Sequence, residues 1–220
     1  GKSQPIREVF DMVDRVASSD ANILIYGESG VGKELVAQAI HRKSPRCRAP
    51  FVVIDCTALQ ETLLESELFG HEQGAYTSAT NLKYGLFEVA HSGVVLLDEI
   101  GELCPTIQSK LLRVLETGTF RRVGGTRDIH VDVRVLAATN RNLDQLVAEG
   151  TFREDLFYRL NVVSIQVPPL RSRPQDIPRL VCHFVAHAAE QEVQGVSDKA
   201  MALLMRYGWP GNVRELRNVI

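Results

Sequence analysis

The chain has 220 residues, 45% of them hydrophobic, with 25 Lys and Arg against 27 Asp and Glu, for a formal net charge of −2. That length supports one substantial core and a small second domain, and the near-neutral balance argues against a broad basic surface for nucleic acid. No apolar run reaches the roughly 18 residues of a membrane span, the opening GKSQPIREVF holds no signal-peptide core, and Cys47, Cys56, Cys104 and Cys182 show no C-x-x-C pairing, which favours a reducing cytosol over a zinc or disulfide framework.

Pro5 opens a helical pattern with Ile6, Val9, Phe10, Val13, Val16 and Ala17 on one face, ended by Asp20-Ala21-Asn22. Ile23 to Tyr26 predicts a strand. GESGVGKE, Gly27 to Glu34, follows it and opens an amphipathic helix to about Lys43. Gly27, Gly32 and Lys33 have the spacing of a phosphate loop, with Glu28, Ser29, Gly30 and Val31 between. Glycines let the backbone curl until N–H groups converge on one anion. The helix N-terminus adds partial positive charge and Lys33 a full one. Glu34 stands where the general pattern has a Ser or Thr that touches magnesium. The bland alternative is a glycine-rich turn with an exposed lysine.

Phe51 to Ile54 predicts a buried strand ending at Asp55, and Leu63, Leu64, Leu68 and Phe69 mark the apolar positions of a helix. Gly70 to Asn81 then has neither period. With Tyr76 at its middle, it reads either as a contact loop or as a solvated linker whose tyrosine packs locally. A helical stretch resumes at Leu86 to Ala90. Val94 to Leu97 suits a parallel strand covered on both faces. Asp98 and Glu99 follow at its carboxyl end, where open α/β sheets bind ligands. There Asp98 can hold magnesium through its water shell, and Glu99 can orient or deprotonate an attacking water. The alternative is an acidic helix cap.

Ile107, Leu111, Leu112 and Leu115 predict a helix closed by Gly118. Thr119 to Val123 and Thr126 to Ile129 predict a hairpin around Gly124-Gly125, whose three arginines face an acidic partner or plain solvent. Val131 to Ala138 is a fourth strand, ending at Thr139-Asn140, where the Asn140 amide can hydrogen-bond a phosphate or the attacking water. Leu143, Leu146 and Val147 give a helix closed by Gly150. Thr151 to Glu154 has capping-box spacing and opens FREDLFYRL. Its Arg153 and Arg159 lie about 600° apart on a helix, so they point in different directions; two surface salt bridges are the alternative. Val162 to Val167 is the fifth strand. Pro168 to Pro174 reads as a domain boundary. Beyond it come helices only: Ile177 to about Glu192, one capped by Ser197 through Met205, and one capped by Asn212. Arg214 in that last first turn opposes the helix dipole and calls for an anionic partner. The pattern is still helical at Ile220, which reads as a fragment of a longer protein. The six histidines are read as surface or packing residues.

In this order the motifs resemble, nearly end to end, the central AAA+ ATPase domain of bacterial sigma-54-dependent transcription activators, the enhancer-binding proteins. GESGVGKE resembles the family's Walker A, where Glu after the lysine is usual. ESELFGHEQGAYTSA resembles its signature region, which normally ends GAFTGA. VVLLDEIGEL resembles Walker B, VLAATN sensor I, FREDLFYRL the arginine-finger segment and GWPGNVREL sensor II. The resemblance implies an α/β P-loop NTPase fold: a five-stranded parallel sheet between helices over residues 1–168, then a helical lid over 169–220, truncated at its C-terminus. It implies ATP and Mg2+ as cofactors and a cytoplasmic ring, a hexamer or heptamer, with ATP between subunits. Arg153 or Arg159 would be supplied in trans, and Arg214 would reach the nucleotide. Sigma-54 RNA polymerase would be met through Gly74, Ala75, Tyr76, Thr77, Ser78 and Ala79. DNA binding would belong to a domain absent from this chain.

Two departures stand out. Tyr76 replaces Phe and Ser78 replaces the second Gly of the signature, and Asp55 stands where the family has an Asn restraining the catalytic glutamate. An acid there would repel Glu99 or share a proton with it. The implied function is ATP hydrolysis that moves the loop and remodels sigma-54 polymerase for promoter opening. A nucleotide-dependent oligomeric scaffold and a remodeller of another client are the alternatives.

Overall fold

An apolar run without alternation has two faces to bury, and the central strands of this chain bury both. In the computed structural model, which describes residues 1–58, 60–76, 79–187 and 195–220, five strands form one parallel sheet. They are β1 (Ile23–Tyr26), β2 (Phe51–Asp55), β5 (Val94–Asp98), β8 (Arg134–Thr139) and β9 (Val163–Gln166), in the order β2-β5-β8-β1-β9. Ile23 and Ile25 join one core with Ile6, Val9 and Val13 of α1 (Gln4–Val16) and Val36 and Ile40 of α2 (Lys33–Lys43). Leu24 joins the other, with Leu68 and Phe69 of α3 (Glu61–Phe69), Ile107 and Leu111 of α5 (Pro105–Thr117), Leu146 of α6 (Leu143–Ala148) and Leu156 of α7 (Glu154–Leu160). Parallel register sets Tyr26 beside Thr139 and Asp55 beside Asp98, so the strands' carboxyl ends share one edge.

Several local expectations change. β2 is an edge strand: only Ile54 is buried and Val53 is 40% exposed. Leu63 on α3 faces solvent. The stretch from Gly70 starts with β3 (Gly70–His71), paired antiparallel with β4 (Lys83–Tyr84) and followed by α4 (Leu86–Val89). Two-residue strands carry no readable period. Gly70 permits this hairpin: its φ is +73°, and a Cβ would lie 2.4 Å from the Lys83 carbonyl. The hairpin after α5 keeps only β6 (Thr119–Phe120) and β7 (Ile129–His130). The strand predicted from Val131 begins at Arg134, and the fifth begins at Val163. No capping box forms at Thr151. Its Oγ1 donates to the Leu146 carbonyl, and Arg153 caps α7 without a side-chain bond.

After β9 come two short 3-10 turns, α8 (Ile177–His187), α9 (Asp198–Arg206) and α10 (Asn212–Val219), around Leu170, Ile177, Val181, Trp209 and Leu216. Ser197 caps α9 as expected. The predicted continuation of α8 to Glu192 lies outside the described residues. Gly211, not Asn212, caps α10; Asn212 is fully buried with φ +54°.

Two buried charges tie distant segments. Arg134, 2% exposed, donates to the carbonyls of Val16 (2.8 Å), Ala17 (3.0 Å) and Ala21 (3.3 Å), closing the C-terminal end of α1. Asp176 accepts from Ser3 Oγ (2.7 Å), Ser3 N (3.0 Å) and Lys2 N (2.7 Å).

Candidate active site

The loop between β1 and α2 needs glycine at two points. Gly30 has φ +78° and Gly32 φ +100°, both left-handed. Gly27 N anchors the loop to the Thr139 carbonyl of β8. Lys33 starts α2 as a buried side chain, and its Nζ donates to the Gly27 carbonyl (3.1 Å) and to Glu99 Oε1 (3.0 Å). Glu99 sits at φ +54°, ψ +49°, a strained setting for a non-glycine residue. Its other oxygen, Oε2, accepts from Asn140 N at 3.1 Å. The Asn140 side chain makes none of this contact; its backbone does.

Asp98 is half-buried, and its Oδ1 accepts from Glu99 N. Burial, then the neighbouring Glu99 charge, lifts its pKa above the usual carboxylate range. Asp55 turns away. Its Oδ1 accepts from Thr57 Oγ1 (2.7 Å) and Thr57 N (2.8 Å), and these bonds hold its pKa below the ordinary value. It therefore stays an ionised carboxylate bonded to Thr57 and makes no hydrogen bond with Glu99. It acts on the site through charge, as one of the groups that raise Asp98.

A cleft of about 410 Å³ opens over these residues. Gly30, Gly32, Lys33, Asp98 and Glu99 line it together with the apolar Ile6, Phe10, Leu180 and Phe184. Apolar side chains combined with a glycine cradle and a cation suit a ligand that carries both a base and phosphates. Arg214 of α10 lines the cleft and donates to Ser29 Oγ at 2.9 Å. Glu34 lines it too, accepting from Gln38. Val31 turns its carbonyl to the buried guanidinium of Arg173. Glu28 departs from the expected role. Its carboxylate faces the lid, bonded to Arg171 and Asn212, and hydrogen bonds from Arg171 take its pKa down to about 2.

Arg153 and Arg159 do not line this cleft. Arg153 is exposed and paired with Asp155 at 2.7 Å, and Arg159 donates to the Leu115 carbonyl. One residue that organises this region escapes sequence reasoning. Gln108 is fully buried; its Nε2 donates to the carbonyls of Leu103 and Thr151, and its Oε1 accepts from Arg153 N at 2.8 Å. Beside Ile107 on an amphipathic helix, a lone Gln gives no signal that it is interior.

The contact-loop candidates stand apart from the cleft. Gly74 has φ +81° and open space around it, and Gly74 N donates to the Ala79 carbonyl. Tyr76 is 40% exposed; its ring meets His71 edge-on, and its hydroxyl lies 3.3 Å from His71 Nδ1. Ser66 Oγ reaches the same nitrogen at 2.7 Å. Ala75 packs on Gly124, and Ala79 is buried. Thr77 and Ser78 lie outside the described residues. Two of the hairpin arginines find acids within the chain: Arg121 pairs with Asp128, and Arg122 with Glu88 and Glu72. α8 carries His183 and His187 at H-x-x-x-H spacing, which the reading of the histidines does not include. Their rings lie 4.2 Å apart, and among the described residues no third His, Cys, Asp or Glu completes a metal cage.

The family model for the sigma-54 interaction domain matches residues 1–166, and that for the AAA+ ATPase lid domain matches residues 171–220. The chain belongs to the sigma-54 interaction family. As in that family, an AAA+ P-loop NTPase sheet precedes a helical lid. Nitrogen fixation protein AnfA of Azotobacter vinelandii is 54% identical over 223 residues, covering 100% of this chain and 42% of AnfA. The DNA-binding transcriptional regulator NtrC of Escherichia coli (strain K12) is 50% identical over 221 residues, covering 99% of this chain and 47% of NtrC. This sigma-54 interaction chain thus spans less than half the length of these curated relatives. NtrX from Brucella abortus, solved with ADP, superposes with a TM-score of 0.92 at 44% identity, covering 99% of this chain and 48% of NtrX. NtrX solved with ATP gives the same TM-score. Among the described residues no helix is long and apolar enough to cross a membrane.

Proposed function

We propose that this chain is a Mg2+-dependent ATPase of the cytoplasm that assembles as a ring and moves its Gly74–Ala79 loop against sigma-54 RNA polymerase to drive promoter opening. The observation that carries the reading is the Lys33–Glu99 pair beside a left-handed glycine cradle, lining a nucleotide-sized cleft. The nucleotide-bound structures of NtrX, at 44% identity, support the substrate, and the family supports the client.

Lys33 holds the key position. Triphosphate oxygens compete with Glu99 for its ammonium group, so substrate binding releases Glu99 Oε1. Asn140 N keeps Oε2 in place, and Glu99 then accepts the proton of the water that attacks the γ-phosphorus as the bond to ADP breaks. Asp98 would hold Mg2+, which when bound would supply charge neutralisation for the phosphates. Arg153 and Arg159 stand outside their own cleft, which favours service to a neighbouring subunit. An arginine finger contributes roughly 10³–10⁵ in rate.

The test measures ATP turnover and sigma-54 capture in a transition-state-like nucleotide complex. Lys33→Ala should lose nucleotide binding, and chelation of magnesium should abolish turnover. Tyr76→Ala should keep ATPase activity within a few-fold and lose capture. Equal capture by wild type and Tyr76→Ala would remove the loop from the mechanism and favour a remodeller of another client. Nucleotide binding without turnover would favour the scaffold. Mixing Arg153→Ala with Lys33→Ala subunits should restore activity, and no restoration would overturn the trans role.

A further inference from the structure

The lid is fastened to the phosphate loop at two places, its first residues and the start of α10. At the first, Leu170 N donates to Asn212 Oδ1 at 2.8 Å, so one buried amide closes the intervening segment on itself. Asn212 Nδ2 donates onward to Glu28 Oε2 (3.1 Å) and to the Ser29 carbonyl (3.0 Å). Arg171, next to Leu170, grips Glu28 with both terminal nitrogens, at 2.7 and 2.5 Å. At the second, Val213 N and Arg214 N both donate to the Gly30 carbonyl, at 3.0 and 3.3 Å. The approach is close: a Cβ on Gly30 would lie 2.4 Å from the Gly211 carbonyl. Three consecutive loop residues, Glu28, Ser29 and Gly30, are therefore held from the lid side.

A surface ion pair alone would contribute little. The setting of this one is different. Asn212 has no exposed surface and keeps a left-handed backbone at φ +54° in order to make these bonds. A carboxylate turned into the cleft would repel phosphate; here a bidentate arginine turns it out. We propose that Glu28 is a positioning residue that couples the lid to the phosphate loop through Arg171 and Asn212. A change in the loop on nucleotide binding then moves the lid. By reciprocity, anything that holds the lid changes nucleotide affinity by the same factor. The Pro168-Pro169 connector is not a free hinge. The nucleotide half of this inference rests on the reading above, while the clasp rests on the contacts themselves.

Hydrogen exchange of the full chain, read at the α10 amides with and without ADP, tests it. In the nucleotide-free protein, Glu28→Ala and Arg171→Ala should each speed exchange at Val213 and Arg214 about tenfold. In wild type, ADP should alter α10 protection. In both variants that response should vanish while ADP affinity falls no more than about fivefold. Arg171→Lys should restore part of the protection. Should Glu28→Ala fail to fold, Arg171→Ala carries the test from an exposed side chain. Unchanged nucleotide-free exchange in Arg171→Ala would overturn the coupling. So would a hundredfold loss of ADP affinity confined to Glu28→Ala, which would make Glu28 a nucleotide ligand. Wild type that binds no ADP would sink the nucleotide reading, and the nucleotide-free comparison would still decide the clasp.

Discussion

Glu99 is bonded on both oxygens, to the ammonium of Lys33 and to the backbone of Asn140. Replacing it with Gln keeps the shape and removes both the base and the negative charge that competes for Lys33. Glu99→Gln should therefore lower turnover by roughly 10²–10⁴ and tighten ADP binding, measured by steady-state kinetics and titration calorimetry. Weaker binding would contradict the competition. Gln108 is the second residue to probe, because its amide serves three backbone groups at once. Gln108→Leu leaves them buried and unpaired, at about 1–3 kcal/mol for the first of them. Its urea midpoint should drop, and turnover should drop too if Arg153 is displaced from α7. Sequence made Lys33 and Glu99 visible because each follows a strand at motif spacing. Gln108 stayed hidden and Asn212 was read only as a helix cap: Thr151 and Arg153 for the one, and Leu170 and Ser29 for the other, are backbone partners more than forty residues away, which leave no local pattern.

At the level of elements, the two small hairpins behave as one platform. Val123 bonds Gly70 and Glu72 through the backbone, and Arg122 joins Glu72 of one hairpin to Glu88 of α4 while covering the Tyr84 ring. Arg122→Ala should speed exchange across Gly70 to Tyr76 by tenfold or more and reduce sigma-54 capture, with ATP turnover within a few-fold of wild type. Tyr76→Phe is a finer probe: it keeps the aromatic ring and removes only the hydroxyl beside His71. A hydrogen bond of that kind is worth about 0.5–1.5 kcal/mol, so exchange at Gly74 to Tyr76 should rise several-fold with the ring contact intact. No rise would mean the hydroxyl is idle. The large sheet was legible because apolar runs and glycine stops are local properties. The hairpin at Gly70 was not, since two-residue strands are set by pairing with each other, whereas the one after α5 was read from its glycine turn, with longer strands than it has.

For the molecule as a whole, stability depends on charges that join the chain's ends to its middle. Burial pushes the pKa of Asp176 up, and the hydrogen bonds from Ser3 and Lys2 outweigh it, so the carboxyl ends below its ordinary value. A carboxyl with a lowered folded pKa stabilises fully above its unfolded value of about 3.9 and loses that contribution as pH falls through the folded one. Asp176→Asn should therefore be less stable than wild type at pH 7, with the gap closing below about pH 4, as thermal midpoints across that range would report. Arg134 makes the corresponding tie beneath the sheet, and burial lowers its pKa. Its three acceptors all belong to residues 16–21, so a chain that begins after Ala21 loses every one of them. Stranding a buried charge costs about 3–5 kcal/mol, a large share of the 5–15 kcal/mol that typically holds a domain folded. Any dissection into autonomous pieces must therefore carry the first helix along with the sheet, because the smallest unit able to stand alone begins upstream of the nucleotide motifs.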